Sequence, residues 1–391
     1  MIVLTVNTGS TSVKLAAFQA ATPAAPAAGA ATAKPEDPWS AADPAVRRLR
    51  SQHLTGTALD PLHTLRGFLG QLDEPPAATV HRVVHGGTRF TGPTLLDDAA
   101  RDAIAALSEL APLHNPVALK WIDAARQACG RGVTHVAAFD TAYFATLPAV
   151  AAEYALPPDV GAELGVRRYG FHGLAHEAMW HRWRQLQPEL PDGGRLITVQ
   201  LGGGCSMAAL DRGRPRDTSM GFSPLEGLVM ATRSGDVDPA VVPYLQRRLG
   251  VSGEQVLAIL NERSGLAGVA GSPDDPHQLL ESASERARLA VELYCYRARK
   301  YLGSYLAVLG GCDGVAFGGG VGEHVPQVRE MILAGMQWAG IELDPAANQA
   351  ACGNESRISA AASPVSVWVI PVDEELPMVR AALTLAAVVC R

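Results

Sequence analysis

The sequence predicts an α/β protein of two domains, and three observations carry that expectation. At 391 residues the chain is longer than one ordinary core accommodates. Short apolar strands alternate with amphipathic helical stretches along most of its length. A strand–glycine turn–strand element occurs twice, at Gly9 and at Gly202-Gly203-Gly204, each time followed by α/β layers. Two such halves facing one another would enclose a ligand cleft, with phosphates held between the glycine turns.

Taken in order, Ile2 to Val6 reads as a buried strand, Asn7 to Ser10 as a turn and Ser12 to Phe18 as a second strand. Alanine and proline dominate residues 19–43 without hydrophobic periodicity, which predicts a mobile surface insertion. Val80 to His85 is a short buried strand. Helices follow over Leu96 to Leu110 and Pro116 to Gln127, the second with Asn115 as cap and Pro116 at its first position. Val133 to Phe139 is a strand running into Asp140, a carboxylate where ligand chemistry usually sits in α/β sheets. In the second half, Leu196 to Leu201 and Ser206 to Leu210 form a strand pair. Ser284 to Leu309 is a long helix with an apolar stripe through Ala287, Val291, Tyr294, Ala298, Tyr301, Tyr305 and Val308, ended by Gly310 and Gly311. Gly314 to Phe317 is a strand, and Gly318 to Gly322 turns into a helix. Val365 to Ile370 is the last strand, and Glu374 to Val388 the last helix. The expected domains are 1–149 plus 374–391, and 150–373.

Composition narrows the function. With 48% hydrophobic and 18% charged residues the chain can bury large cores. A net charge of −6 and the lack of a dense basic run argue against nucleic acid as a partner. The six cysteines form no C-x-x-C pair and no metal-ligand spacing with histidine, which predicts reduced thiols in a cytoplasmic protein. Met1 to Asn7 lacks a basic segment before its apolar run and reads as a strand, not a signal peptide. No apolar stretch is long enough to span a membrane.

Five segments carry candidate chemistry. Asn7-Thr8-Gly9-Ser10-Thr11-Ser12-Val13-Lys14 offers turn N–H groups, hydroxyls and a cation to an anion, although an ordinary hairpin turn looks the same. Arg82 lies in an apolar strand, His81-Arg82-Val83-Val84-His85, so it must meet an anionic ligand or a structural carboxylate. His114, in Leu113-His114-Asn115-Pro116, sits at a helix start and serves a ligand or a cap. His172, in Arg167-Arg168-Tyr169-Gly170-Phe171-His172-Gly173, lies between an aromatic ring and a glycine, in reach of a ligand or packed structurally. Asp217 to Pro239 is long, irregular and poor in bulky residues, with Arg233 among glycine and acids.

Together these segments resemble the acetate kinase family, within the sugar kinase, Hsp70 and actin superfamily, from Met1 to the last helix. The run from Asp217 to Pro239 and the sequence around His172 are its most specific parts. The resemblance implies a two-domain actin-like, ribonuclease H-like α/β fold with the ligands between domains, and a homodimer. It implies reversible in-line phosphoryl transfer between ATP and acetate, giving ADP and acetyl phosphate, with Mg²⁺ or Mn²⁺. Propionate, a non-adenine nucleotide or pyrophosphate are alternatives within the fold, and a non-catalytic binder of acyl phosphate or nucleotide is a further one. Carried over by position, Asp140, Arg82, His172 and Arg233 are implied as catalytic. Arg82, Val84, Leu113, His114, Phe171 and Pro224 are implied to meet the acid. Ser10, Ser12 and Lys14, with Gly202, Gly203, Gly204, Gly320, Val321 and Gly322, are implied to hold phosphate and nucleotide. Asn7 and Glu374, with Asp140 beside them, are implied at the metal.

The chemistry suits these residue types. Phosphoryl transfer needs alignment and charge neutralisation, and an ionised acid needs no general base. The sequence departs from the family pattern on the donor side: Gln200 and Gly203 stand where the family usually has histidine and asparagine. Leu174-Ala175 replaces a usual T-S, His324 a common asparagine, and Ser272 to Pro276 lacks an arginine. Nucleotide affinity and identity are therefore the points most exposed to change.

Overall fold

Two stretches of the chain, Met1–Ala145 joined by Asp373–Arg391 and Thr146–Val372, each build their own six-stranded sheet. A computed structural model describes residues 1–9, 12–21, 46–56, 59–130, 132–273 and 275–389. Ser10 and most of the 19–43 insertion thus lie outside the described residues.

The first sheet has the order β3-β2-β1-β4-β6-β5. Its strands are β1 (Ile2–Thr8), β2 (Ser12–Ala20), β3 (Val46–Thr55), β4 (Ala78–Val83), β5 (Thr94–Leu95) and β6 (Thr134–Phe139). All seven residues of β1 are buried, as expected of a central strand covered on both faces. β1, β2 and β3 form an antiparallel meander, and β4 and β6 add in parallel. Leu4, Val6 and Leu15 pack against Leu65 and Phe68 from the Pro61–Leu69 helix and Trp121 and Ala125 from the Asn115–Cys129 helix. Gln19 and Ala20 belong to β2, so the Ala/Pro insertion begins later than its composition suggests.

The second sheet has the order β11-β12-β10-β7-β8-β9. Its strands are β7 (Arg195–Leu201), β8 (Cys205–Asp211), β9 (Arg214–Thr218), β10 (Gly314–Gly318), β11 (Ser356–Arg357) and β12 (Ser366–Val369). β7, β8 and β9 again form an antiparallel meander, with β10 and β12 parallel beyond β7. The topology of the first sheet is therefore repeated strand for strand.

Three expectations change in detail. The helix expected from Leu96 starts at Asp98, because Asp97 caps it by accepting from the Ala100 N–H at 2.7 Å. Asn115 is the first residue of its helix, not the cap, and its side chain is engaged elsewhere. In the Glu285–Leu309 helix Val308 is exposed, and Leu302 and Leu306 take the buried face toward the end. The helix stops at Gly310 in the left-handed conformation (φ 67°), as its glycine predicts. Among the described residues no helix is long and apolar enough to cross a membrane.

Candidate active site

In the first unit the C-terminal ends of three neighbouring strands converge. β1 supplies Asn7, β4 supplies Arg82 and the residue after β6 is Asp140. Glu374 joins them from the turn before the C-terminal Glu375–Val389 helix. The Arg82 guanidinium forks onto Asp140, Nε to Oδ1 at 2.9 Å and Nη2 to Oδ2 at 2.7 Å. Its Nη1 donates to Asn7 Oδ1 and to Glu374 Oε2, both at 3.1 Å. Asn7 Nδ2 completes the ring by donating to Glu374 Oε2 at 2.9 Å. Burial opposes the Arg82 charge, but Asp140 and Glu374 outweigh it and raise its pKa. Burial pushes the Asp140 carboxyl above its ordinary value while Arg82 pulls it back. Two carboxylates around one arginine leave the cluster one negative charge in surplus.

The loop after β4 carries Val84 and is fixed by residues that motif reading missed. Asn115 Nδ2 donates to the His85 carbonyl at 3.0 Å, and Asn115 Oδ1 accepts from the His85 N–H at 3.2 Å. Thr141 Oγ1 accepts from the Gly86 N–H at 2.9 Å. A Cβ on Gly86 would stand 2.8 Å from the Phe90 carbonyl oxygen, so glycine is required there. Val84 is buried, His114 half-buried and Leu113 exposed. Ser12 is half-buried at the start of β2, its carbonyl accepting from the Gly9 N–H at 2.8 Å, and Lys14 is exposed on the same strand.

In the second unit His172, Arg233 and the β7–β8 turn come together. His172 holds a left-handed conformation (φ 57°) ahead of the Gly173–Leu186 helix. A Cβ on Gly204 would lie 3.3 Å from His172 Cε1 and 3.4 Å from Arg233 Nη1, so the glycine lets both side chains close on the turn. Arg233 Nη1 donates to the Pro224 carbonyl at 3.1 Å. Burial lowers the pKa of Arg233, slightly countered by Cys205. Among the described residues Arg233 has no carboxylate partner, in contrast to Arg82. Phe171 is buried, Pro224 half-buried.

The irregular 217–239 segment is held open by packing that only glycine permits. A Cβ on Gly221 would overlap Glu226, and Gly235 (φ 68°) sits against the Gly227 and Leu228 carbonyls. Arg168 donates to Glu226 at 2.6 Å and to the Thr218 carbonyl at 3.2 Å, and Tyr154 donates to Glu226 as well. Gly320, Val321 and Gly322 lie inside a short helix, Gly319–His324, instead of in a turn before it. Among the described residues Gly203 has nothing near its Cβ position, and the buried Gln200 side-chain oxygen has no hydrogen-bond partner. Sequence reading offered Ser206 only as a spare phosphate donor and did not connect it, His176 or Thr198 to His172, behind which the three line up. For His176 the one local signal was its place four residues after His172, in the first turn of the helix that His172 precedes.

The comparisons with known proteins agree with one another. The Acetokinase family model matches residues 2–380. An acetate kinase of Solibacter usitatus (strain Ellin6076) is 46% identical over 307 residues, 78% of this chain and 74% of that protein. The crystal structure of Porphyromonas gingivalis acetate kinase superposes with a TM-score of 0.82 at 33% identity, covering 98% of this chain and 99% of that one. That of a propionate kinase from Francisella tularensis subsp. tularensis SCHU S4 gives 0.83 at 30% identity, with the same coverage. An α/β fold of two six-stranded sheets with these neighbours defines a phosphotransferase with a carboxyl group as acceptor. The chain belongs to the acetokinase family.

Proposed function

We propose that this protein transfers a phosphoryl group reversibly between ATP and acetate, in line and without a covalent enzyme intermediate. The observation that carries the reading is Arg233: a half-buried guanidinium without a carboxylate partner among the described residues, beside His172 at the Gly202–Gly204 turn. A partly desolvated, uncompensated cation is costly unless an anion comes to it, and a transferring phosphoryl group is such an anion. Arg82 is assigned to the carboxylate and Arg233 and His172 to the phosphoryl group. Val84, Leu113, His114, Phe171 and Pro224 are assigned to the acid. Ser10, Ser12, Lys14 and the glycines at 202–204 and 320–322 are assigned to phosphate and nucleotide. On this reading the first unit binds mainly the acid and the second the nucleotide.

The Asn7, Asp140 and Glu374 oxygens suit a hard cation such as Mg²⁺ or Mn²⁺. Among the described residues no cluster of three or more His, Cys, Asp or Glu ligands exists, and the acidic cluster carries one surplus negative charge. An ion that keeps waters and takes further oxygens from a nucleotide fits that donor set. When bound, the ion would neutralise phosphate charge. Arg82 keeps Asp140 and Glu374 ordered in the meantime. A cytoplasmic homodimer belongs to the same reading. The dimer is supported by Leu289, Leu293 and Tyr296, exposed along one face of the Glu285–Leu309 helix, and sedimentation tests it.

The test is a hydroxamate assay of the purified protein with Mg²⁺ across short acids and phosphoryl donors. Acetyl hydroxamate with a nucleoside triphosphate is expected, and no acyl hydroxamate with any pair would remove the kinase reading. Propionate is the second acid to try, since one structural neighbour is described as a propionate kinase. Loss of acyl transfer to hydroxylamine with retained nucleotide binding would favour a non-catalytic binder.

A further inference from the structure

His172 heads a hydrogen-bonded chain that runs into the core of the second unit. Its Nδ1 lies 2.9 Å from Ser206 Oγ, which lies 2.8 Å from His176 Nε2. His176 Nδ1 lies 2.7 Å from Thr198 Oγ1. Ser206, His176 and Thr198 are wholly buried, so water cannot reorient the chain from that end. The end is anchored: the Thr198 hydroxyl donates to the Ala208 carbonyl at 3.4 Å.

That anchor gives the chain a direction. A carbonyl only accepts, and a hydroxyl has one proton. With that proton on the Ala208 carbonyl, Thr198 Oγ1 accepts from His176 Nδ1–H. Neutral His176 then has a bare Nε2, which accepts the Ser206 hydroxyl proton. Ser206 Oγ in turn accepts from His172 Nδ1–H. The opposite direction would turn the Thr198 proton to His176 and forgo the carbonyl. We propose that Ser206, His176 and Thr198 are positioning residues that fix the proton of neutral His172 on Nδ1 and so present Nε2 to the transferred phosphoryl group. The inference rests on the reading of His172 as the residue that meets that group.

The geometry on the other side of the ring agrees. A Cβ on Gly204 would lie 3.4 Å from His172 Nε2 and 3.4 Å from Arg233 Nη1, so the two groups flank the same turn. The proton a phosphoryl oxygen needs is taken up from solvent at Nε2. His172 becomes an imidazolium with one N–H facing that oxygen and the other retained by Ser206. The groups facing the ring include Arg233, Ser206 and, through Ser206, His176.

The test is ring ¹⁵N spectroscopy of the histidine-labelled full chain above the His172 titration, with the signal assigned by its loss in His172→Gln. The expected pattern is a protonated Nδ1 and a bare Nε2. A protonated Nε2 in the unaltered protein overturns the proposal whether or not any variant folds. Ser206→Ala should give mixed tautomers and lower kcat by about ten- to a hundredfold, with both KM values within about twofold. Thr198→Val should shift the tautomer in the same sense with a smaller loss of kcat. An unchanged tautomer or an unchanged kcat in Ser206→Ala overturns the proposal, as does a change carried by KM. If His172→Gln retains full turnover, the phosphoryl-contact reading fails instead, and the ring spectrum still decides whether the chain fixes the tautomer.

Discussion

Arg233 and Arg82 are both arginines in apolar surroundings, yet their partners set them apart. Arg82 is neutralised within its own unit by Asp140 and Glu374, whereas among the described residues Arg233 leans on backbone and sulfur. An exchange at Arg233 should therefore be felt in chemistry and hardly in folding. Arg233→Lys keeps a charge but loses the planar fork. Turnover is expected to fall about 10²–10³-fold, the range for a lost transition-state donor, with the thermal midpoint little changed. Near-normal turnover would sink its assigned role. Gly203 gives a second case. A Cβ there meets nothing within 4 Å, so Gly203→Asn is sterically free. The amide it adds should tighten ATP by roughly 1.5–3 kcal/mol if the phosphates pass that turn. Michaelis constants for ATP, GTP and ITP in both proteins measure it, and tight, selective ATP binding that the exchange leaves unimproved would show the turn to be compensated already. Arg82, His172 and Gly203 were legible because motif and spacing are local properties. The contact of Ser206 with His172 was not, because it spans 34 positions of sequence and only the β7–β8 register places it there.

At the scale of elements, loops are positioned by groups outside them. The loop after β4 has no regular structure of its own, yet Asn115 satisfies both backbone polar groups of His85. Asn115→Ala should leave a buried N–H and C=O unpaired, at about 1–3 kcal/mol. We expect a lower denaturation midpoint by urea and, because Val84 adjoins His85, a weakened preference for acetate over longer acids. Unaltered stability would mean that water replaces the amide. Val84→Ala should shift the specificity constants toward longer acids without that loss of stability, and an unchanged ratio would place the acid pocket elsewhere. Sequence alone misread Asn115 because an asparagine before proline at a helix start is what a cap looks like; its true partner is 30 residues away. β3 was overlooked for a different reason. Nearly all its residues are exposed and it carries Arg47, Arg48 and Arg50, so it shows no apolar alternation. Charge on an edge strand discourages further pairing, and it also erases the period that marks a strand.

Over the whole molecule the two sheets repeat one topology, a three-stranded meander extended by parallel strands, and its outline was legible in the two glycine turns because turn chemistry is local. What each sheet buries on its faces was not legible, and the histidines of the first unit show why that matters. His81 on β4 and His135 on β6 stack with ring centroids 5.7 Å apart, and His81 Nε2 lies 3.4 Å from His135 Nδ1. Burial lowers the pKa of His81 well below its usual value, with His135 and Arg126 adding to the effect. Burial and Arg126 bring His135 down to about 4, and burial brings His85 to about 4. The unfolded chain would protonate all three near their ordinary value of about 6.5. Between those limits the unfolded state binds more protons than the folded one. Stability is therefore complete above about pH 6.5 and is lost as pH falls toward 4. The first unit should register this loss directly: amide exchange in peptides covering 78–83 and 134–139 is expected to speed up as pH falls through that window, after correction for intrinsic rates. His135→Asn removes one of the three titrating groups and should flatten the pH dependence of the thermal midpoint there, even if it lowers the midpoint at neutral pH. A slope equal to that of the unaltered protein would mean that the acid lability arises elsewhere in the chain.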